Sequence, residues 1–166
     1  MPKARTAKKP AAKQAAKAAK KLAPLPPNMA WISAYLTVKD PTIALAFYET
    51  AFGFKKGLVM PAKDGKILHA EILYKDNMVM FGPENLPMGC KSPTTLGGTP
   101  VGLYIYVDAV DALTERARKA GGKIVREPQD QFYGDRTVTI GDPDGHQWTF
   151  ATRKSEFDPS KAPNCE

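Results

Sequence analysis

The segment Ile67-Leu-His-Ala-Glu71 sets an imidazole and a carboxylate two residues apart. On a strand, residues i and i+2 share a face, so His69 and Glu71 point the same way. Such a pair offers three chemistries. It can act as a general base with a polarising neighbour, as two ligands of a metal ion, or as a polar floor that hydrogen-bonds a bound molecule without reacting. Assigning a reaction takes several convergent groups, and no third partner stands beside this pair in sequence. His69 and Glu71 are the catalytic candidates, and the reaction stays open among these readings.

Other reactive residue types are sparser. Arg136 lies beside Asp135 and is expected either to pair with it or to meet a ligand carboxylate or phosphate at a cavity mouth. His146 directly follows the turn Asp142-Pro-Asp-Gly145. Strand parity puts it on the face opposite Gln147 and Thr149, which reads as a packed or turn-bonded histidine. Cys90 has no nearby base, and Cys165 sits one residue from the end. Without a Cys-x-x-Cys spacing, the two cysteines suggest neither a disulfide framework nor a thiolate zinc site, and a reducing compartment is expected.

The elements that must position these groups alternate along the chain. Residues 32–39 read as a strand. Asp40 and Pro41 then supply a helix N-cap and first position, Ala44, Phe47, Tyr48 and Ala51 recur at helical spacing, and Gly53 stops the helix. Strands follow at 54–60, 67–74 and 78–81, with Lys75-Asp76 as a two-residue turn that sets Glu71 opposite Met80. A Pro- and Gly-bearing linker occupies 83–100. The plan then repeats: a strand at 101–107, a helix through Val110, Leu113 and Ala117 closed by Gly121-Gly122, and strands at 123–126, 137–140 and 147–151. A shift of 69 places Tyr35 on Tyr104, Val38 on Val107 and Gly53 on Gly122.

Period-two alternation splits the first strand of each copy. Ala34, Leu36 and Val38, like Leu103, Ile105 and Val107, suit packing on a helix. The opposite face carries Trp31, Ser33, Tyr35 and Thr37 in one copy, and Gly102, Tyr104 and Tyr106 in the other. Aromatic residues are costly to leave wet, so this face is expected to line a pocket, together with the adaptable side chains of Met78 and Met80.

Composition bounds the rest. The chain has 166 residues, 43% hydrophobic and 25% charged, a globular balance suited to one domain. The net charge of +7 is uneven. Residues 1–29 carry eight basic and no acidic side chains, leaving −1 for the body. That distribution argues against a body with a broad basic nucleic-acid face. Residues 1–29 read as a disordered basic tail, with weak non-specific nucleic-acid contact through residues 3–21 as one expectation and a solubilising extension as the other. Residues 154–166 read as a flexible tail. No apolar run is long enough to span a membrane, and a cytoplasmic location is expected.

Taken together, Asp40-Pro-x5-Phe-Tyr-x3-Phe-Gly-Phe54, Gly121-Gly122 and Gly141-Asp-Pro-Asp-Gly-His-x-Trp148 resemble the vicinal oxygen chelate superfamily of glyoxalases, bleomycin and fosfomycin resistance proteins and extradiol dioxygenases. Ile67-Leu-His-Ala-Glu71 and Phe132-Tyr-Gly-Asp-Arg136 resemble its PhnB-like branch. The similarity spans about residues 31–153. It implies an α+β fold of tandem βαβββ modules, about 31–82 and 101–151, curving round a cavity and commonly paired as a homodimer. It also implies that metalloenzymes of the superfamily carry His or carboxylate ligands at the points occupied here by Ser33, Met80, Gly102 and Thr149. Those residues are poor ligands for a divalent ion. The expected protein therefore has no metal or other cofactor. It encloses a small organic molecule among Trp31, Ser33, Tyr35, His69, Glu71, Met78, Met80, Tyr104, Tyr106, Arg136, Gln147 and Thr149. A lyase, isomerase or dioxygenase using His69 and Glu71 is the alternative.

Overall fold

The computed structural model describes residues 22–26 and 29–162. Most of the basic segment, and Cys165, lie outside the described residues. Among the described residues, eight strands and three short α-helices follow one another: β1 (Ala34–Val38), α1 (Pro41–Phe47), β2 (Lys55–Pro61), β3 (Ile67–Tyr74), β4 (Asn77–Pro83), α2 (Pro93–Leu96), β5 (Gly102–Tyr106), α3 (Val110–Lys119), β6 (Lys123–Asp130), β7 (Asp135–Gly141) and β8 (Gln147–Arg153). They form two four-stranded sheets, ordered β1-β4-β3-β2 and β5-β8-β7-β6. The first strand of each pairs parallel with the last, and the other pairs are antiparallel. This is the expected α+β arrangement of two strand–helix–three-strand units.

Asp40 starts α1 as expected, its Oδ1 accepting from the amides of Thr42 (2.8 Å) and Ile43 (3.4 Å). The helix does not run unbroken to Ala51. It passes into a π-turn, Tyr48–Phe52, that ends at Gly53 with φ 72°. Arg116 of α3 satisfies carbonyls at this end, donating to Ala51 O (3.0 Å) and Phe52 O (2.9 Å). The Arg116 guanidinium lies 3.2 Å from where a Gly53 Cβ would stand, so a side chain there meets both strain and a cation.

Aromatic side chains join the two halves. Phe52 packs against Phe150 (4.7 Å between ring centres) and Trp148 (5.3 Å), and Tyr48 also meets Trp148 (5.2 Å). These residues belong to one buried cluster drawing on both sheets. The Asp142–Gly145 turn adds a polar tie. Asp142 Oδ2 accepts from the Tyr48 hydroxyl (2.8 Å) and Trp148 Nε1 (2.9 Å). Its Oδ1 accepts from the amides of Asp144 (3.0 Å) and His146 (2.9 Å). Asp144 Oδ1 accepts from the Lys39 amide at 2.8 Å, and His146 Nε2 lies 2.9 Å from Thr37 O. Burial, with the Asp142 charge beside it, pushes the Tyr48 phenol well above its ordinary range. Burial likewise raises the Asp144 carboxyl.

Several boundaries differ from the sequence reading. β6 runs to Asp130 rather than 126, because Pro128 falls on an edge strand whose register shifts twice. β7 starts two residues early, at Asp135. The 83–100 linker carries α2, capped by the buried Ser92. Glu84 holds this connector, accepting from the Ser92 amide (2.8 Å) and hydroxyl (2.7 Å). Hydrogen bonds from Thr95, then from Ser92, draw the Glu84 carboxyl from 4.5 to about 2. Within the expected C-terminal tail, Pro159–Lys161 forms a 3₁₀ turn. No helix among the described residues is long and apolar enough to cross a membrane.

Candidate functional site

Each sheet turns its aliphatic face to the helices, burying Leu36, Val38 and Val107. The opposite faces carry the polar and aromatic residues. In the single chain they are open: Tyr35 is 56% exposed, Tyr104 47% and Tyr106 56%.

On the first sheet, register brings together residues distant in sequence. Tyr35 pairs across to Met80, and Met80 to Glu71 on β3. The Tyr35 hydroxyl lies 3.4 Å from His69 Nδ1, and His69 Nε2 lies 3.5 Å from Glu71 Oε1. The other Glu71 oxygen accepts from the Leu58 amide at 3.1 Å. The side chains of His69 and Glu71 are mostly buried. The expected pair is thus extended to a phenol–imidazole–carboxylate line, an arrangement that can move a proton between Tyr35 and His69 while Glu71 orients the ring.

Two strand glycines make room for this line. A Cβ on Gly82 would stand 2.8 Å from the Tyr35 hydroxyl and 3.0 Å from Leu68 O. One on Gly57 would stand 2.9 Å from Glu71 Cβ. Gly82→Ala is expected to drive Tyr35 off His69 and to cost about 1–2 kcal/mol by overpacking. With only two histidines in the chain, the shift of the His69 ring signals in an NMR spectrum reads the effect directly. Unmoved signals would show that the glycine does not seat the tyrosine.

On the second sheet, Tyr106 pairs with Ala151, and Ala151 in turn with Thr137 on β7. The two tyrosine side chains reach over β8 to Asp135, and both hydroxyls donate to its Oδ2 at 2.8 Å. Asp135 is only 5% exposed. Burial first, then the bond to Asp135, raises the Tyr104 phenol far above its usual range. For Tyr106 the bond to Asp135 is the larger cause. The expected Asp135–Arg136 pair does not form, because consecutive strand residues point to opposite faces. The Arg136 guanidinium is instead taken up by Asp111 (2.9 Å) and Asp130 (3.0 Å), so it is not free for the expected anionic ligand.

A cavity of about 550 Å³ opens where the free edges of the two sheets, β1 and β5, approach. Phe54, Ile72, Met78, Leu103 and Ile105 form much of its apolar wall, and Ser33, Tyr104 and Tyr106 add hydroxyl-bearing groups. Ser33, Met78, Tyr104 and Tyr106 were expected there. Trp31 is 77% exposed and lies off the wall, as do Tyr35, His69, Glu71, Met80, Gln147 and Thr149. The core-facing Leu103 and Ile105 were missed. Alternation assigns them to the helix side, whereas a strand at a sheet edge shows part of both faces to the gap. Asp135 was missed as a partner of the tyrosines, although it shares its parity with Thr137 and Thr139.

The family model described as Glyoxalase/Bleomycin resistance protein/Dioxygenase superfamily matches residues 28–150. The chain belongs to this superfamily. An uncharacterized protein of Mycobacterium bovis is 38% identical over 122 residues, covering 71% of this chain and 80% of the relative. Among solved structures, TioX from Micromonospora sp. ML1 superposes with a TM-score of 0.61 at 30% identity, over 74% of this chain and 97% of TioX. The fosfomycin resistance protein FosX of Listeria monocytogenes, solved with Mn(II) and a dihydroxypropylphosphonic acid, superposes with a TM-score of 0.55. It is 17% identical, with 78% of this chain and 90% of FosX covered, a likeness of fold alone.

The glyoxalase superfamily includes metal enzymes, and the four positions named from the resemblance can be tested for fit. Ser33 Oγ is buried without a hydrogen-bond partner among the described residues. The Thr149 hydroxyl is engaged by Thr139 at 3.0 Å. Met80 offers a thioether, and Gly102 offers no side chain. One free hydroxyl and a soft sulfur do not make a site for a hard or borderline divalent ion. No group of three His, Cys, Asp or Glu converges among the described residues.

Proposed function

We propose that this glyoxalase-superfamily chain binds a small organic molecule in the cavity between β1 and β5, without a metal ion. The observation that carries the reading is the make-up of that cavity. Aliphatic, aromatic and thioether groups supply apolar area, the main contribution to affinity in small-molecule sites. The residues at the four ligand positions support the metal-independent part. The open tyrosine faces support a homodimer, in which a second copy covers aromatic surface that a lone chain leaves wet.

Native mass spectrometry of the protein as purified tests these parts together. The expected spectrum shows twice the chain mass, with a small organic adduct released on activation. Stoichiometric manganese, iron, nickel or zinc that disappears in His69→Ala would overturn the reading.

The Tyr35–His69–Glu71 line favours a second reading, a general acid–base enzyme of the same superfamily. It is separated from the first by the same variant. Loss of turnover with ligand binding intact supports catalysis.

A further inference from the structure

The small-molecule reading leaves open what kind of molecule the cavity selects. This inference rests on that reading and narrows it. Among the described residues that line the cavity, Lys75 alone bears a charged side chain. A lysine stem can lie along an apolar wall while its ammonium stays in water at the rim. Here Nζ stands 5.6 Å from the ring centre of Tyr74, another lining residue. Asn77, on the far side of the same turn, adds an amide to the lining. An apolar cavity with a cation at its mouth and no lining carboxylate favours a molecule with an apolar body and an anionic head.

The backbone singles out the same residue independently. Among the described residues, Lys75 is the one non-glycine with a positive φ, 51°. Glycine or asparagine enters that left-handed region readily, whereas a lysine there carries a local cost. A turn that served only to join β3 to β4 would be more stable with either, so the strain points to a use for the side chain. Lys75 is paired, but exchangeably. Its Nζ meets Asp108 Oδ1 at 3.1 Å, bridging from the first sheet to the chain just beyond β5. The Asp108 side chain is 88% exposed, so the contact is worth little and a ligand carboxylate can take its place. Arg136, the cation to which the sequence pointed, is held by two carboxylates at once and offers no such exchange.

We propose that the ligand is an organic anion, a carboxylate on an apolar body. Its head takes the Lys75 ammonium from Asp108, with the Asn77 amide beside it, and its body packs among Phe54, Ile72, Met78, Leu103 and Ile105.

Calorimetric titration of the full chain at low salt, with three compounds of one skeleton, tests this: 4-phenylbutyrate, 4-phenylbutan-1-ol and 4-phenylbutylamine. The carboxylate is expected to bind about threefold tighter than the alcohol, the scale of an exposed ion pair, with the amine weakest. Asp108→Asn releases Lys75, and the advantage of the carboxylate over the alcohol should roughly double. Lys75→Asn suits the left-handed turn, so the fold is kept, and carboxylate and alcohol should then bind alike. Equal binding of the two by the unaltered chain, or preference for the amine, overturns the anion proposal and leaves the cavity reading standing. Binding of none of the three at millimolar concentration overturns the cavity reading itself. A Lys75→Asn protein that keeps the preference overturns the role of Lys75, and an Asp108→Asn protein without the gain overturns the exchange.

Discussion

Asp142→Ala is expected to lower the free energy of unfolding by about 4 kcal/mol, from the cost of leaving buried donors unpaired. One carboxylate takes four donors: the Tyr48 hydroxyl, Trp148 Nε1 and the amides of Asp144 and His146. Alanine removes every acceptor at once. The indole and the phenol are fully buried, so neither turns to bulk water without opening the core. The loss also reaches the first half of the chain, because the same turn carries Asp144 onto the Lys39 amide and His146 onto Thr37 O. Asp142→Asn keeps the shape and one acceptor oxygen, and about half the loss is expected on the same reasoning. Urea unfolding followed by tryptophan fluorescence measures both. A change below about 1.5 kcal/mol for alanine would mean that solvent reaches these donors and that the turn is not the tie described.

The second large effect falls on Phe52→Ala, expected to cost about 4 kcal/mol, in the range for truncating a fully buried phenylalanine. The ring meets Phe47, Tyr48, Phe54, Trp148 and Phe150. It belongs to the π-turn, whose backbone is pinned by Arg116, so the chain has little freedom to collapse into the void. Phe132→Ala is the contrasting control. That ring also touches two aromatics, Tyr133 and Phe157, but is 42% exposed, and its removal should cost under about 1 kcal/mol. Comparable losses from the two variants would show that the aromatic contact, rather than burial between the halves, sets the scale.

The internal repeat made the fold legible. Tyr35 and Tyr104 occupy equivalent places, each beside the last strand of its own sheet, and Val38 and Val107 both reach the core. The equivalence of Gly53 and Gly122 holds only approximately. The left-handed residue that ends α3 is Gly121, with φ 87°, one place earlier. A π-turn adds one residue to a helical turn, and the π-turn before Gly53 accounts for the slip. Hydrophobic spacing cannot distinguish an α-turn from a π-turn when Tyr48, Ala51 and Phe52 are buried either way.

The site was legible in part. The shared face of His69 and Glu71 follows from parity, and the turn at Lys75-Asp76 set Glu71 against Met80 as expected. The third member, Tyr35, comes from β1, which joins the group through the parallel β1–β4 pairing. That register is not readable from a loop length. The grip of Tyr104 and Tyr106 on Asp135 crosses an intervening strand and depends on small residues there, Ala151 among them. Arg136 shows the opposite failure. Its nearest acid in sequence is the one it cannot reach, since its own backbone turns the two side chains apart.

The aromatic seam between the halves has a consequence for how the molecule melts. Phe52 and Phe54 from one repeat are sealed by Trp148 and Phe150 from the other, so neither repeat possesses a finished interior of its own. Duplication is written in the chain but not in its thermodynamics. The two copies are expected to unfold in one cooperative transition, so that a blow to either is felt by both.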